Sequence, residues 1–336
     1  MYGGVRNSEL RWLLLLVAVG LALPRLLPIY YLYTGNMLMT YAILAIGLDL
    51  LLGWSGQFAF AHIAFFGIGI YATALLQARL GIPFAISMIL AAGLAGGFGL
   101  LIGVPATRLK AVYLALATYA FAESAQWVFR TWDSVTGGSD GLRLQPPTIF
   151  GYVSSDDRAA FPLVAIILAL VLAATLWLTR SKFGRHMGAI RDSEHVAAAS
   201  GIDVRRTKVV AFAVSGVFAG LAGGTFTLFQ SFVNADVLGA SQLVTVLTMV
   251  VIGGSGSIPG VLLGVLLIGL LPEVLREMPQ SMLVWQEFLY GATLVAAIVF
   301  MPQGLWGLVR PRLGARRRPD PASTAPALRT LHGELP

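Results

Sequence analysis

Apolar runs dominate the chain, and short polar segments separate them. A membrane helix needs about 20 largely apolar residues to cross a hydrocarbon core of about 30 Å. Windows of this kind recur from Trp12 to Trp306. The pattern predicts membrane helices at about 10–30, 36–53, 58–78, 82–105, 110–130, 160–179, 208–231 and 286–308.

Two shorter apolar segments, 242–252 and 260–271, flank a glycine-rich stretch that runs from Gly253 to Gly260. Each segment alone is too short to cross the membrane unless it recruits neighbouring residues. The pair is therefore either a single broken span or a helical hairpin, and the choice between them decides the topology.

Composition agrees with a membrane protein. Of the 336 residues, 57% are hydrophobic and 12% are charged, whereas a soluble domain carries about 25% charged residues. The prediction is an all-α polytopic transmembrane helical bundle of about 8–10 passes. It forms one transmembrane domain over 1–310, followed by a disordered tail over 311–336 that is rich in Pro, Ala and Arg.

The distribution of charge predicts which loops face the cytoplasm. Seven basic residues fall between 180 and 208, and five arginines fall between 310 and 318. The positive-inside rule places both segments, and with them both termini, in the cytoplasm. The loop at 131–159 is richer in aspartate and suits the outer face. An even number of crossings must then lie between the two basic segments, which favours a hairpin at 242–271, as two full passes or as a re-entrant pair.

Glycine pairs at four-residue spacing predict close helix packing, because they remove side chains from one helix face. The pairs are Gly99 and Gly103, Gly216 and Gly220, Gly220 and Gly224, and Gly260 and Gly264. None of them argues for a substrate site by itself.

Several kinds of chemistry are excluded. The chain has no cysteine and no GxxxxGK[ST] motif, so disulfides, thiolate ligands and this route to nucleoside triphosphates are absent. The four histidines are too far apart to predict a metal site. We expect no catalytic residues, no enzyme activity, no nucleic-acid binding and no cofactor. The acids Asp49 and Glu123 fall within apolar windows, and they leave a proton-coupled secondary transporter as an alternative.

The basic loop at 180–208 has the pattern of a short helix. Ser193 is a suitable helix cap, Glu194 lies in the first turn, and Gly201 can end the helix. Small residues between them would let the helix lie in a groove of a partner. A surface helix resting on lipid headgroups remains the alternative.

At this point the chain resembles a known family. The loop resembles the coupling loop of ABC importer permeases. Four further blocks, at 47–57, 62–71, 136–142 and 251–257, resemble the LivM-type permease subunit of branched-chain amino-acid importers. They keep the family's order from about residue 36 to 305. The chain departs from the pattern at Ala59-Phe60-Ala61 and at 119–124, which leaves the substrate open.

The resemblance implies a permease that moves branched-chain or other hydrophobic amino acids across the inner membrane, with urea or short amides as an alternative cargo. ATP would be used only by partner subunits. The implied partners are a second homologous permease, two cytoplasmic ATPases and a periplasmic binding protein, which the loop from Thr136 to Leu142 would contact unless it is only a solvated turn. The ATPase-coupling residues would be Glu194, Ala197, Ala198 and Gly201.

A zwitterion that crosses hydrocarbon needs polar partners, and its branched side chain needs apolar walls. Five residues in or next to the apolar windows carry suitable groups. The predicted substrate path therefore contains Gln57, His62, Tyr71, Tyr119 and Glu123.

Overall fold

The computed structural model of the chain describes residues 7–144, 148–149, 152–153, 157–276, 285, 288, 291, 292, 295 and 304–309. Within these residues the chain is almost entirely helical. The helices are α1 (Asn7–Ala22), α2 (Ile29–Asp49), α3 (His62–Leu80), α4 (Phe84–Ala106), α5 (Ala111–Thr131), α6 (Asp133–Thr136), α7 (Asp157–Arg180), α8 (Lys182–Asp192), α9 (Glu194–Ala199), α10 (Val204–Phe226), α11 (Ala240–Gly253), α12 (Ile258–Arg276) and α13 (Gly304–Val309).

In the described part of the chain, five helical segments are long and apolar enough to cross a membrane: Ile29–Trp54, His62–Leu80, Phe84–Ala106, Asp157–Arg180 and Val204–Phe226. They confirm five of the predicted spans. Helix α5 has the length of a span, but polar residues in its second half, among them Glu123, Gln126 and Arg130, keep it out of this group. The predicted span at 286–308 and the tail at 311–336 lie largely or wholly outside the described residues.

The predicted first span at 10–30 is wrong in its boundaries. Helix α1 ends at Ala22, and a 3₁₀ turn over Leu23–Arg25 separates it from α2. Prolines explain the break, because Pro24 lies in the turn and Pro28 precedes α2, and neither has a backbone N–H to continue a helix. The second span consequently begins at Ile29 and not at about residue 36.

The segment at 242–271 is a helical hairpin. Helices α11 and α12 are separate and pack against each other, and the glycine-rich turn joins them. Helix α11 has 14 residues, which at 1.5 Å per residue gives about 21 Å, less than the thickness of a hydrocarbon core. The hairpin prediction is confirmed, and α11 by itself is shorter than a full crossing.

Helix α10 is the centre of the bundle and packs against α4, α3 and α2. Its glycines permit this contact. A methyl group on Gly216 would lie 2.6 Å from the Ala95 carbonyl oxygen, and one on Gly220 would lie 2.7 Å from the Ala92 Cα. On the facing helix, a methyl group on Gly99 would lie 2.5 Å from the Phe212 carbonyl oxygen. The prediction of close packing at the glycine pairs is confirmed for α4 with α10.

The two ends of the bundle carry different connections. Helix α7 has 24 residues, about 36 Å of helix, and it joins the segment at 131–144 to the basic loop. We call the end that carries α8 and α9 the α9 end, and the opposite one the loop end. At the loop end, strand β1 (Leu142–Arg143) pairs antiparallel with β4 (Phe232–Val233). A second antiparallel pair is formed by β2 (Thr148–Ile149) and β3 (Tyr152–Val153).

Candidate functional site

The basic loop folds as two short helices because serine side chains cap them. The Ser181 hydroxyl accepts hydrogen bonds from the N–H groups of Phe183 and Gly184 at the start of α8. The Ser193 hydroxyl accepts from the Val196 N–H at the start of α9. Gly201 follows α9 with φ of +80°, which suits glycine. The predicted short helix, with its serine cap and its glycine end, is confirmed.

The four residues predicted to couple to an ATPase do not share one face. Glu194 forms an ion pair with Lys208 of α10, and the Lys208 side chain is almost completely buried. Ala197 is buried against the chain, whereas Ala198 is exposed. A Cβ on Gly201 would meet open space. Glu194 and Ala197 therefore hold α9 to the bundle, and Ala198 is on the free side.

Val196 is an α9 residue outside the predicted coupling set. Its side chain is 65% exposed, although it is apolar and the loop around it is strongly basic. An exposed aliphatic side chain on a helix can enter an apolar groove of a partner. The sequence contained a usable signal, since valine is the single large apolar residue in the segment from Glu194 to Ser200.

Three distant segments meet beside α8. The Arg191 guanidinium donates a hydrogen bond to the Gly53 carbonyl oxygen, in the π-helical turn Leu50–Trp54 that follows α2. The Asp49 Oδ1 atom, at the end of α2, accepts a hydrogen bond of 2.7 Å from the Gly256 N–H in the turn between α11 and α12. Asp49, Gly53, Arg191 and Gly256 form what we call the α9-end junction. It joins the segments at 47–57 and 251–257 to the basic loop.

His62 and Gln57 lie inside the bundle toward the α9 end. The His62 Nε2 atom is 2.8 Å from the Leu44 carbonyl oxygen, and Nδ1 is 2.9 Å from the Ser215 hydroxyl. Because a carbonyl oxygen can only accept, Nε2 carries a proton. The ring thus links α3 to α2 and α10, and these contacts fit helix packing better than a place in a substrate path.

The Gln57 side chain is also buried. Its amide nitrogen donates to the Ser55 hydroxyl at 2.8 Å, and its Oε1 atom has no hydrogen-bond partner among the described residues. Gln57 is therefore the better placed of the two residues to meet a polar ligand at this end.

Tyr71 lines an apolar cavity of about 400 Å³ between α3, α4 and α5. Its ring stacks on Phe129 with centroids 4.7 Å apart. The side chain is 2% exposed, and within the described part of the chain its hydroxyl has no hydrogen-bond partner. Other walls of the cavity are formed by Ile68, Leu75, Leu94, Phe98 and Phe121. The cavity surface is almost wholly apolar, and the Tyr71 hydroxyl oxygen is itself buried.

Tyr119 and Glu123 lie one turn apart on α5, and their side chains interact. Tyr119 is exposed on the surface of the chain and Glu123 is half-buried. This polar pair is separate from His62 and Gln57. The five predicted path residues therefore fall into three places: the interior near the α9 end, the cavity, and the α5 surface.

The loop from Thr136 to Leu142 is well ordered by internal hydrogen bonds. The Thr136 hydroxyl donates to the Phe129 carbonyl oxygen at 2.6 Å. Gly137, Gly138 and Gly141 have positive φ, which explains the glycine-rich sequence. Nearby, Arg130 and Asp236 form a surface ion pair at 2.6 Å. A contact between this loop and a binding protein stays a prediction.

The chemistry of the described residues is that of binding and packing. Within these residues no cluster of three His, Asp or Glu side chains is arranged to hold a metal ion. The polar groups of the junction are engaged with one another, and Tyr119 and Glu123 on the α5 surface interact with each other.

Comparison with known proteins agrees with this description. Residues 30–298 match the family described as branched-chain amino acid transport system / permease component. The chain is 31% identical over 303 residues to the high-affinity branched-chain amino acid transport system permease protein LivM of Escherichia coli K12, covering 83% of this chain and 70% of the relative. It is 30% identical over 326 residues to the LivM protein of Salmonella typhimurium, covering 90% and 76%.

A second group of relatives matches as well. The LivH permease protein of Escherichia coli K12 is 27% identical over 287 residues, covering 80% of this chain and 91% of LivH. No solved structure matches the chain significantly. The chain is thus a multi-pass membrane protein with the role of an ABC importer permease, and it belongs to the family of permease components of branched-chain amino acid transport systems.

Proposed function

We propose that this chain is the permease subunit of an inner-membrane importer that carries branched-chain or other hydrophobic amino acids, with ATP hydrolysed by separate partner subunits. The observation that carries the proposal is the structure of helix α9. A capped, basic-flanked helix with an exposed Val196 projects from the end of the bundle where the family segments meet. Such a helix fits the groove of a cytoplasmic ATPase, so the α9 end and both termini are assigned to the cytoplasm.

The proposed complex contains a second permease subunit, and the surface of α5 supports this part. An ionisable residue at membrane depth is costly against lipid, and such residues normally face a protein partner or a water-filled path. Glu123 and Tyr119 lie toward the outside of the chain near the middle of α5. A homologous partner packed along α5 would enclose this pair in a path between the subunits.

The cavity supports the proposed cargo class. Its almost wholly apolar walls suit an aliphatic side chain. Urea and short amides have little apolar surface to bury in such a cavity. We therefore expect leucine, isoleucine or valine to be preferred over amides.

The junction argues against the alternative of a proton-coupled secondary transporter. Asp49 is 2% exposed, and its carboxylate already accepts the Gly256 N–H. A proton carrier needs access to both sides of the membrane in turn, and this carboxylate is engaged at the α9 end. Glu123 alone would have to carry protons in such a mechanism.

The test is transport by the reconstituted complex. The chain is co-expressed with its proposed partners, a second permease, two ATPases and a binding protein, and radiolabelled leucine is supplied to proteoliposomes that contain ATP. We expect leucine uptake to require both ATP and the binding protein. Valine and isoleucine should compete with leucine for uptake, and urea should not. Uptake by the chain alone in response to a proton gradient would contradict the proposal.

A matched pair of variants tests the role of α9 in the same assay. Val196→Asp is expected to lower uptake by about tenfold or more, because an unpaired carboxylate in an apolar contact costs several kcal/mol. Gly188→Asp adds the same charge to α8, at a position where a Cβ meets no atom within 4 Å, and is expected to leave uptake nearly unchanged. Equal effects of the two variants would count against docking at Val196.

A further inference from the structure

The α9-end junction connects parts of the chain that are far apart in sequence. Arg191 and Gly53 are 138 residues apart, and Asp49 and Gly256 are 207 residues apart. Through these two hydrogen bonds, α8 contacts the end of α2, and the end of α2 contacts the turn of the α11–α12 hairpin. The basic loop is therefore connected at the junction both to α2 and, through Asp49, to the α11–α12 hairpin.

The junction is tightly packed around Arg191. Gly256 has φ of +81°, and a Cβ there would lie 2.7 Å from the Arg191 Nη1 atom. Gly56 has φ of +68°, and a Cβ there would lie 3.2 Å from the Arg191 Cγ atom. Both conformations suit glycine, and side chains at these positions would meet Arg191. Arg191 is an exposed residue, and its side chain lies against these two glycine turns.

Arg191 is also mechanically connected to α9. It lies in the last turn of α8, and Ser193, two residues later, both ends α8 and caps α9. Met187 and Ile190 of α8 are buried in the bundle, so α8 is packed firmly against it. A displacement of α9 therefore reaches Arg191 over a very short length of chain.

The element that receives Arg191 has an irregular helical geometry. The segment Leu50–Trp54 is a π-helical turn, and the Gly53 carbonyl oxygen that accepts from Arg191 belongs to it. Short π-helical turns inside α-helices are rare and occur often at functional sites. Here the turn continues the membrane helix α2 directly beyond Asp49.

We infer that Arg191 is a positioning residue for energy coupling: it links the movement of α9 to the inner end of α2 and, through Asp49 and Gly256, to the α11–α12 hairpin. The inference rests on the proposed function, because it takes an ATPase bound at α9 as the source of the movement. In this arrangement α9, the π-helical turn and the hairpin turn move as one body when the ATPases close. Arg191 itself contacts neither the cargo nor ATP.

The first test compares arginine substitutions on the same helix. Arg191→Gln removes the charged donor to Gly53. Arg185→Gln makes the same change at an exposed residue whose guanidinium bonds to the nearby Arg180 carbonyl oxygen at 3.1 Å. Leucine imported and ATP hydrolysed are both measured in the reconstituted complex. We expect Arg191→Gln to lower the number of leucine molecules imported per ATP hydrolysed by about tenfold, the size of effect that loss of a coupling interaction gives. The ATPases should remain bound to the variant.

Arg185→Gln is expected to match the wild type, and Arg191→Lys to recover part of the coupling, since an ammonium group can still donate to Gly53. A structural role alone would lower import and ATP hydrolysis together and leave their ratio unchanged. Equal ratios for Arg191→Gln, Arg185→Gln and the wild type would overturn the inference. A wild-type complex that fails to import leucine with ATP would instead overturn the proposed function, and the inference with it.

A second measurement leaves Arg191 in place and so does not depend on the variant folding. The chain has no cysteine, so spin labels can be attached at His195→Cys in α9 and Ser255→Cys in the hairpin turn, both exposed. A second pair joins position 195 to Ser139→Cys at the loop end. On trapping the complex with vanadate, we expect the 195–255 distance to stay constant while the 195–139 distance changes. A change in the 195–255 distance as large as that in the other pair would overturn the inference.

Discussion

The α9-end junction and the cavity beside α5 differ in how closely the chain is packed. At the junction, hydrogen bonds join three segments, from the exposed Arg191 to the buried Gly53 and from the half-buried Gly256 to the buried Asp49. A Cβ on Gly53 would overlap both the Asp49 carboxylate and the Gly256 nitrogen. Beside α5, a space of about 400 Å³ is bordered by apolar side chains, and the Tyr71 hydroxyl has no partner among the described residues.

This difference assigns separate tasks to the two regions. A closely packed contact transmits a displacement, because packed interfaces shift between discrete arrangements and do not deform gradually. An apolar cavity can receive the aliphatic part of a solute. The chain therefore combines a stiff region at the end proposed to face the ATPases with an open region in the part proposed to face the cargo. Added volume should therefore lower both stability and uptake at the junction, but lower uptake alone at the cavity.

The largest effect is expected from adding volume at the junction. Gly53→Ala places a methyl group where the Asp49 carboxylate and the Gly256 nitrogen already lie. Overpacking of this kind costs about 1–3 kcal/mol, and we expect a clear fall in the melting temperature of the purified chain together with loss of most of its uptake. The control is Gly97→Ala in α4, where a Cβ meets no atom within 4 Å. A Gly53→Ala variant as stable as the control would show that the junction is not closely packed.

Removing the hydrogen-bond acceptor at the same place is expected to have the next largest effect. Asp49→Leu leaves the Gly256 N–H without its partner, which costs about 1–3 kcal/mol for a buried group. Asp49→Asn retains an oxygen that can accept this bond, so we expect it to be clearly milder. The free energy of unfolding of both variants and their uptake are compared with the wild type. If Asn were as damaging as Leu, the negative charge of Asp49 and not its hydrogen bond would be essential.

Filling the cavity should reduce transport without reducing the stability of the chain. Ala125→Phe adds a ring to the cavity wall, and we expect unchanged stability with uptake lowered about tenfold, because the space for the cargo is lost. Ala95→Phe makes the same change where α4 packs on Gly216 and Gly220 of α10, and there we expect a loss of stability of about 1–3 kcal/mol. Normal uptake by a stable Ala125→Phe variant would exclude the cavity from the path.

The smallest effect is expected at the loop end. Arg130 and Asp236 form an ion pair, but their side chains are 50% and 69% exposed. Exposed pairs contribute about 0–1 kcal/mol and are screened by salt. Arg130→Ala should therefore lower the melting temperature slightly at low ionic strength and not measurably at high ionic strength. A large effect that is insensitive to salt would mean that Arg130 has a role beyond this pair.

The sequence predicted much of the fold because membrane helices are encoded in local composition. Five spans, the hairpin and the caps of α9 follow from apolar length, the position of basic residues and single capping side chains. The break between α1 and α2 was placed too late, since the pattern of apolar residues continues through Pro24 and Pro28 and hides the interruption of the backbone hydrogen bonds.

The sites were less predictable because they depend on contacts between distant segments. Nothing local shows that Glu194 pairs with the buried Lys208, or that Arg191 reaches the Gly53 carbonyl oxygen. Similarly, His62 has the residue type expected of a binding group, and only the positions of Leu44 and Ser215 show that both of its ring nitrogens are already engaged.

The central claim is that α9 faces the cytoplasm and binds an ATPase there. Cysteine labelling tests this claim most directly. The chain has no cysteine, so His195→Cys in α9 and Ser139→Cys at the loop end each provide one exposed thiol on this subunit. A membrane-impermeant maleimide is applied to intact spheroplasts and to inside-out vesicles. The account predicts that position 139 reacts only in spheroplasts, and that position 195 reacts only in inside-out vesicles and is protected there when the ATPases are present. Labelling of position 195 from outside intact spheroplasts would contradict it.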